Sequence, residues 1–160
     1  RVIAAASSAQ KLAFAREIGA DDTIDYSTES LKDGVKALTD GRGVDVVYDP
    51  VGGELAQAAL RSLAWHGRYL VIGFAAGEIP EFPANLALLR EASIIGVFWG
   101  EWARRHPDRQ ADNAMQIGKM LADGRLSPRI GEVHKLDDFA AAFDAITSRR
   151  AMGKVVLTME

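Results

Sequence analysis

Residues 44–53 read VDVVYDPVGG. Val44, Val46 and Val47 form a short apolar run, the pattern of a strand covered on both faces. Asp49 and Pro50 end it, and Gly52-Gly53 lets the chain turn tightly towards a helix. In an open α/β sheet, ligands bind in the crevice just beyond such carboxyl ends of strands.

Upstream, residues 2–6 predict a small-residue buried strand. Ser8 caps a helix over 9–18, in which Leu12, Ala15 and Ile18 share the helical spacing, and Gly19 stops it. A short strand follows around 23–26, then a helix over about 29–39 with Leu31, Val35 and Leu38 on one face. Asp40-Gly41-Arg42-Gly43 is a turn. Downstream, a helix over 54–64 turns Leu55, Ala59, Leu60 and Leu63 inward. His66-Gly67 then turns the chain into RYLVIG, a fourth strand, which ends in a loop over 73–77. Pro80 and Pro83 keep the next stretch extended. A short helix over 85–90 precedes SIIGVFW, a fifth strand over 93–99. Strands alternate with helices at the spacing of right-handed crossovers, so a doubly wound, mostly parallel α/β sheet is expected. The last third predicts a helix from Pro107 to Ala122 closed by Gly124, a partly polar strand in SPRIGEVHKL, a helix capped by Asp137 or Asp138, and a last strand in GKVVLT. No linker marks a second domain.

Composition narrows the function. The chain has 160 residues, 48% hydrophobic and 26% charged, which is enough for one domain with a real core. A formal net charge of −3 gives no field favouring nucleic acid or an anionic membrane, and neither is expected as a partner. There is no cysteine, hence no disulfide and no thiolate metal site, which suits a reducing cytoplasm. His66, His106 and His134 lie far apart with no metal-ligand spacing, so no metal site is expected. Nucleophile elbow, P-loop and Gly-x-Gly-x-x-Gly are all absent, and no tyrosine has a lysine four residues later. Arg104 and Arg105 are read in a polar turn. Trp99 and Trp102 suit an interface or a substrate pocket.

The turn at Ser7-Ser8 carries no acid, and Lys11 follows three residues on. NAD-binding sheets of this kind usually place an acidic residue on the ribose 2′-hydroxyl. Hydroxyls and a lysine at a helix N-terminus suit a phosphate instead, which points to the 2′-phosphate of NADP. Tyr26, ending the next strand, could cover the adenine or donate to that phosphate. Lys11 is read equally well as a solvated helix residue, and Tyr26 as an aromatic at the edge of the core. The glycine turns Val51-Gly52-Gly53 and Gly73-Phe74-Ala75-Ala76-Gly77 each follow a strand, and the two together suggest a cofactor groove.

VIAAASSAQKLAFAREIGADDTIDY, GVDVVYDPVGG, GRYLVIGFAAG, ASIIGVFWG and GKVVL, in this order, resemble the medium-chain dehydrogenase/reductase superfamily, and within it the zinc-free quinone oxidoreductase, zeta-crystallin-like group. The resemblance covers nearly the whole chain. It implies a Rossmann-type domain binding NADP(H) and a quinone or other α,β-unsaturated carbonyl as small-molecule substrate. Carried over residue by residue, Ser7 or Ser8, Lys11 and Tyr26 match the 2′-phosphate contacts. Val51 and Gly52 match the turn near the cofactor ribose. Gly73, Phe74 and Ala75 match the loop beside the nicotinamide, and Lys154 a segment near the cofactor in some members. No residue presents itself as a proton donor. The resemblance also implies an N-terminal GroES-like domain, a first strand and a glycine-rich turn that this sequence does not contain. Residues 1–160 are therefore expected to be a partial NADP-binding Rossmann domain with a C-terminal helix-strand extension, part of a longer polypeptide and inactive alone. A homodimer pairing the 93–99 edge is implied; an edge covered by residues 84–90 is as well supported. An enoyl-thioester or crotonyl-type reductase and a non-catalytic nucleotide-binding scaffold are the rival readings.

Overall fold

The structure, a computed structural model, describes residues 1–159. The chain divides into two compact units, residues 1–99 and 100–160.

The first unit opens with β1 (Ile3–Ala6), α1 (Ala9–Glu17), β2 (Asp22–Asp25) and α2 (Leu31–Leu38). β1 and β2 are parallel, with Ile3 opposite Asp22 and Ala6 opposite Asp25. Both helices start at serine caps. Ser8 Oγ accepts from Lys11 N, and Ser30 Oγ from Asp33 N, each at 3.3 Å. Such caps satisfy one of the amides that a helix start leaves without a partner. Leu12 and Val35 are the buried anchors of α1 and α2. Ile24 is 1% exposed. Gly34 of α2 crosses it so closely that a Cβ there would lie 3.0 Å from Ile24 Cγ2. Ile18, expected to face the core, is the C-cap of α1 and 56% exposed.

A second sheet follows: β3 (Val44–Asp49), α3 (Leu55–Arg61), β4 (Leu63–Val71), α4 (Ala84–Leu88) and β5 (Ser93–Gly96). The strand order is β3-β4-β5, all parallel. Its core joins Ala56, Leu60, Leu63, Tyr69 and Leu86, with Val44, Val47, Val71 and Phe82 packed around them. Each large apolar side chain buried this way contributes about 1.5–3 kcal/mol. α3 is shorter than the sequence predicts. Leu63 and Ala64, spaced to continue its apolar face, instead begin β4, and Val44 N donates to Ser62 O at 3.0 Å. His66, at φ 59°, and Gly67 form a bulge inside β4, so the expected turn lies within a strand. β5 stops at Gly96; one more bond runs from Val97 N to Val71 O.

The doubly wound, parallel, Rossmann-type α/β fold is thus present, and it is interrupted. β1-β2 and β3-β4-β5 are separate sheets, with no ladder from β1 to β3 among the described residues. In the order 3-2-1-4-5-6, that position belongs to the first strand. Val46 and Tyr48, two residues apart and so on one face of β3, are exposed, Tyr48 at 67%.

The second unit has its own two-stranded parallel sheet, β6 (Ile130–Lys135) with β7 (Lys154–Thr158). α7 (Phe139–Thr147) buries Ala142 and Ala145. α6 (Pro107–Ala122) begins with proline at its first position, where no amide is needed, and Gly124 follows its end at φ 69°. Arg104 and Arg105 belong to no polar turn. They close α5 (Trp99–Arg105), which crosses the boundary between the units, and both pair with Glu101 at 2.7 and 2.6 Å. These pairs hold the Glu101 carboxyl below its usual range, through the hydrogen bond from Arg104 first and then that from Arg105.

Candidate cofactor site at the strand ends

Two clusters of candidate residues form in the first unit, one at the carboxyl ends of each sheet. The first surrounds the start of α1. Ser7 is exposed between β1 and the helix, and Lys11 lies half-buried in the first turn, which holds no acid. Tyr26 N donates to Ala6 O at 3.1 Å, which fixes the tyrosine beside the same strand end. Helix geometry leaves the amides of Ala9 and Gln10 without intrahelical acceptors. Two free amides, one cation and a hydroxyl beside the positive end of a helix dipole suit a phosphate. The Ser8 hydroxyl is already engaged as the cap, so Ser7 is the freer of the two hydroxyls.

The second cluster is built from the loops after β3 and β4, which are laced together by backbone. Ala75 N donates to Pro50 O at 3.1 Å, Ala76 N to Val51 O at 2.9 Å, and Gly53 N to Glu78 O at 3.2 Å. Gly52 is buried at φ 68°, and a Cβ on it would meet Glu78 O and the Phe74 ring, each at 3.2 Å. A Cβ on Gly73 would lie 3.3 Å from Pro50 O. Val51, Gly52, Gly73, Phe74 and Ala75 therefore form one platform, with Val51 and Phe74 each about two-fifths exposed on it. Lys154 opens β7 in the second unit, exposed, its amide donating to Arg129 O at 2.8 Å.

The sequence reading missed the residue that holds this platform. Asp49, the last residue of β3, accepts through Oδ1 from Val51 N at 2.8 Å and Gly52 N at 3.0 Å. Its Oδ2 accepts a hydrogen bond from the Tyr69 hydroxyl. Tyr69 is 1% exposed and packs edge-on against Phe82, 5.0 Å between centroids. Burial raises the Tyr69 pKa above its ordinary value, and the bond to Asp49 and the charge of that carboxylate raise it further. The available signal was Asp-Pro at a strand end followed by glycines, the pattern of an Asx turn. Nothing local announced Tyr69, twenty residues away.

Residues 1–117 match the family described as zinc-binding dehydrogenase. The chain belongs to that family, within the medium-chain dehydrogenase/reductase superfamily. It is 42% identical to quinone oxidoreductase-like protein 2 of Bos taurus over 163 residues, covering 100% of this chain and 46% of that protein. Among solved structures it is similar to the quinone oxidoreductase of Pseudomonas syringae pv. tomato DC3000. There the TM-score is 0.84 and the identity 32%, covering 98% of this chain and 48% of that one. A mycobacterial protein solved in complex with NADPH aligns with TM-score 0.88 and 27% identity, covering 98% of this chain and 49% of its own. The chain spans about half the length of the curated relatives it matches. No helix among the described residues is long and apolar enough to cross a membrane.

Proposed function

We propose that this chain is the cofactor-binding portion of an NADPH-dependent oxidoreductase that reduces quinones or other α,β-unsaturated carbonyls. The observation that carries the reading is the acid-free start of α1, with Lys11 and Ser7 beside the strand end to which Tyr26 is tied. The names of its relatives support the same class of acceptor, and the NADPH complex of a neighbour supports the cofactor.

The residues present fit a dinucleotide in two respects. The α1 start offers free amides and a cation for the 2′-phosphate. The turn at Gly52, its backbone pinned by Asp49 and packed without a Cβ against Glu78 O and the Phe74 ring, shapes the platform at the strand end for the ribose and nicotinamide end. When bound, the cofactor supplies hydride from nicotinamide C4 to a conjugated acceptor. The chain's own part is to bind, orient and exclude water. Ser7, Lys11 and Tyr26 hold the adenosine end. Val51, Gly52, Gly73, Phe74 and Ala75 line the other end, and Phe74 presents an apolar ring that keeps water from it. Lys154 is assigned a further cofactor contact, carried over from the family.

In the same reading, a strand from outside residues 1–160 fills the break between β1 and β3. These residues are then a partial NADP-binding domain with a helix-strand extension, in a cytoplasmic protein without catalytic zinc. β5 is the dimer edge: its four residues are all exposed, and Phe98 just beyond it is 79% exposed. An uncovered apolar edge of this kind is an association site.

The test is NADPH oxidation by the full-length protein with a benzoquinone as acceptor, compared with an enoyl thioester. The proposal expects turnover with the quinone and a raised KM for NADPH in Lys11→Ala with kcat retained. NADPH oxidation by the thioester alone would move the protein to the enoyl-reductase class. No oxidation with either would leave a nucleotide-binding scaffold.

A further inference from the structure

At the other end of β3 and β4 lies a cleft of about 200 Å³. Lys32, Lys36, Arg42, Arg61 and Arg90 line it, and no carboxylate does. It opens among the turn before β3, the end of α3 and the turn before β5, at the amino ends of the parallel strands. Six residues of β3 separate it from the Val51–Gly52 loop, roughly 20 Å of strand.

Five cations around one concavity, in a chain whose formal net charge is −3, need a cause. Only Arg42 is paired, to Asp45 through two bonds of 2.7 Å. Lys32, Lys36, Arg61 and Arg90 have no side-chain partner among the described residues. Lys36 and Arg61 occupy the last turns of α2 and α3, and Arg90 follows α4, positions where a cation complements the helix dipole. Lys32 has no such reason. It sits in the first turn of α2, at the positive end of the dipole, and four residues from Lys36, where two like charges repel. Gly43 lets the turn before β3 lie directly against the end of α3: it is buried at φ 88°, with Ser62 O 2.6 Å from where its Cβ would be. A cleft lined by one sign of charge concentrates ions of the opposite sign.

We propose that this cleft is a second, anion-binding site, which takes a compact polyanion of the diphosphate class. Its volume is below the range of pockets that enclose a whole drug-sized ligand. It accommodates two linked phosphates and leaves any attached group outside. Lys32, Lys36, Arg61 and Arg90 supply the charge that holds it. The guanidiniums offer planar paired donors that match phosphate oxygens. The site is independent of the cofactor reading, because it uses none of the same residues.

The test is titration of the full-length protein with inorganic pyrophosphate, by calorimetry and by amide chemical shifts at Gly41 and Gly43. Saturable binding is expected, at least about tenfold tighter than for inorganic phosphate, and weakened by added salt. Lys32→Gln with Lys36→Gln should weaken it by about tenfold or more, the equivalent of about 1.4 kcal/mol. Arg90→Gln, on a different segment and exposed, should do the same, with circular dichroism confirming the fold. Lys119→Gln, at an exposed lysine of α6 outside both sites, should change nothing. Absence of saturable binding, equal affinity for phosphate and pyrophosphate, or loss of binding in Lys11→Ala but not in the cleft variants would overturn the proposal.

Discussion

Replacing Tyr69 by phenylalanine removes one oxygen from a side chain that is 1% exposed, and with it the only donor to Asp49 Oδ2 among the described residues. The ring and its contact with Phe82 stay, so the loss of packing is small. The lost interaction is a hydrogen bond to a charged acceptor, about 1.5–3 kcal/mol. The carboxylate keeps the two amides of Val51 and Gly52 but loses a partner in a half-buried place. A destabilisation of about 2 kcal/mol at pH 7 is therefore expected from urea unfolding of the β3-β4-β5 sheet. The pH dependence adds a second signature. The folded state raises the Tyr69 pKa, so the folded protein holds this proton at a pH where the unfolded chain has lost it. The stabilisation is fully present below about pH 10, the ordinary tyrosine value. It declines as pH rises from there towards the raised folded pKa, with a slope of at most about 1.4 kcal/mol per pH unit. Tyr69→Phe should lose this alkaline slope along with the neutral-pH increment. A variant as stable as the parent at pH 7, with the same decline above pH 10, would refute the role assigned to the Tyr69–Asp49 bond.

Gly43 and Gly77 share φ 88°, but a Cβ at Gly43 meets backbone at 2.6 Å whereas one at Gly77 meets nothing within 4 Å. Gly43→Ala should therefore be the more destabilising by about 2 kcal/mol in urea midpoints, a difference due to the collision alone. Ser8→Ala should cost about 1 kcal/mol through its lost cap, and Ser8→Gly only a few tenths. The amides on the open flanks of β1 and β3 should exchange rapidly with solvent in residues 1–160 expressed alone, and slowly in the full-length protein. Light scattering of the full-length protein should give a dimer that Ile94→Lys converts to a monomer.

The alternation of strand and helix was legible because each element of a parallel sheet carries its own local signals: valine runs, serine caps, glycine stops. Ser8 and Gly124 act where the sequence put them, while Ser30 caps a helix that the sequence reading began one residue earlier. The interruption of the sheet was legible too, as a strand order with one member unaccounted for. Boundaries failed where one apolar pattern serves two structures. Leu60, Leu63 and Ala64 suit the face of a helix. Pairing of Val44 with Leu63 ends α3 at Arg61 and converts the remaining residues into strand. Asp49 escaped the reading because its partners are two backbone amides and a phenol twenty residues away, and only the fold brings them together. The basic cleft escaped for the same reason: its cations come from four separate segments of the sequence.

The central claim is that the start of α1 selects NADPH, and comparative titration of the full-length protein with NADPH and NADH tests it most directly. The account predicts that NADPH binds at least about tenfold more tightly, and that Lys11→Ala brings the two affinities together by weakening NADPH alone. NADH binding as tightly as NADPH to the unaltered protein would contradict it.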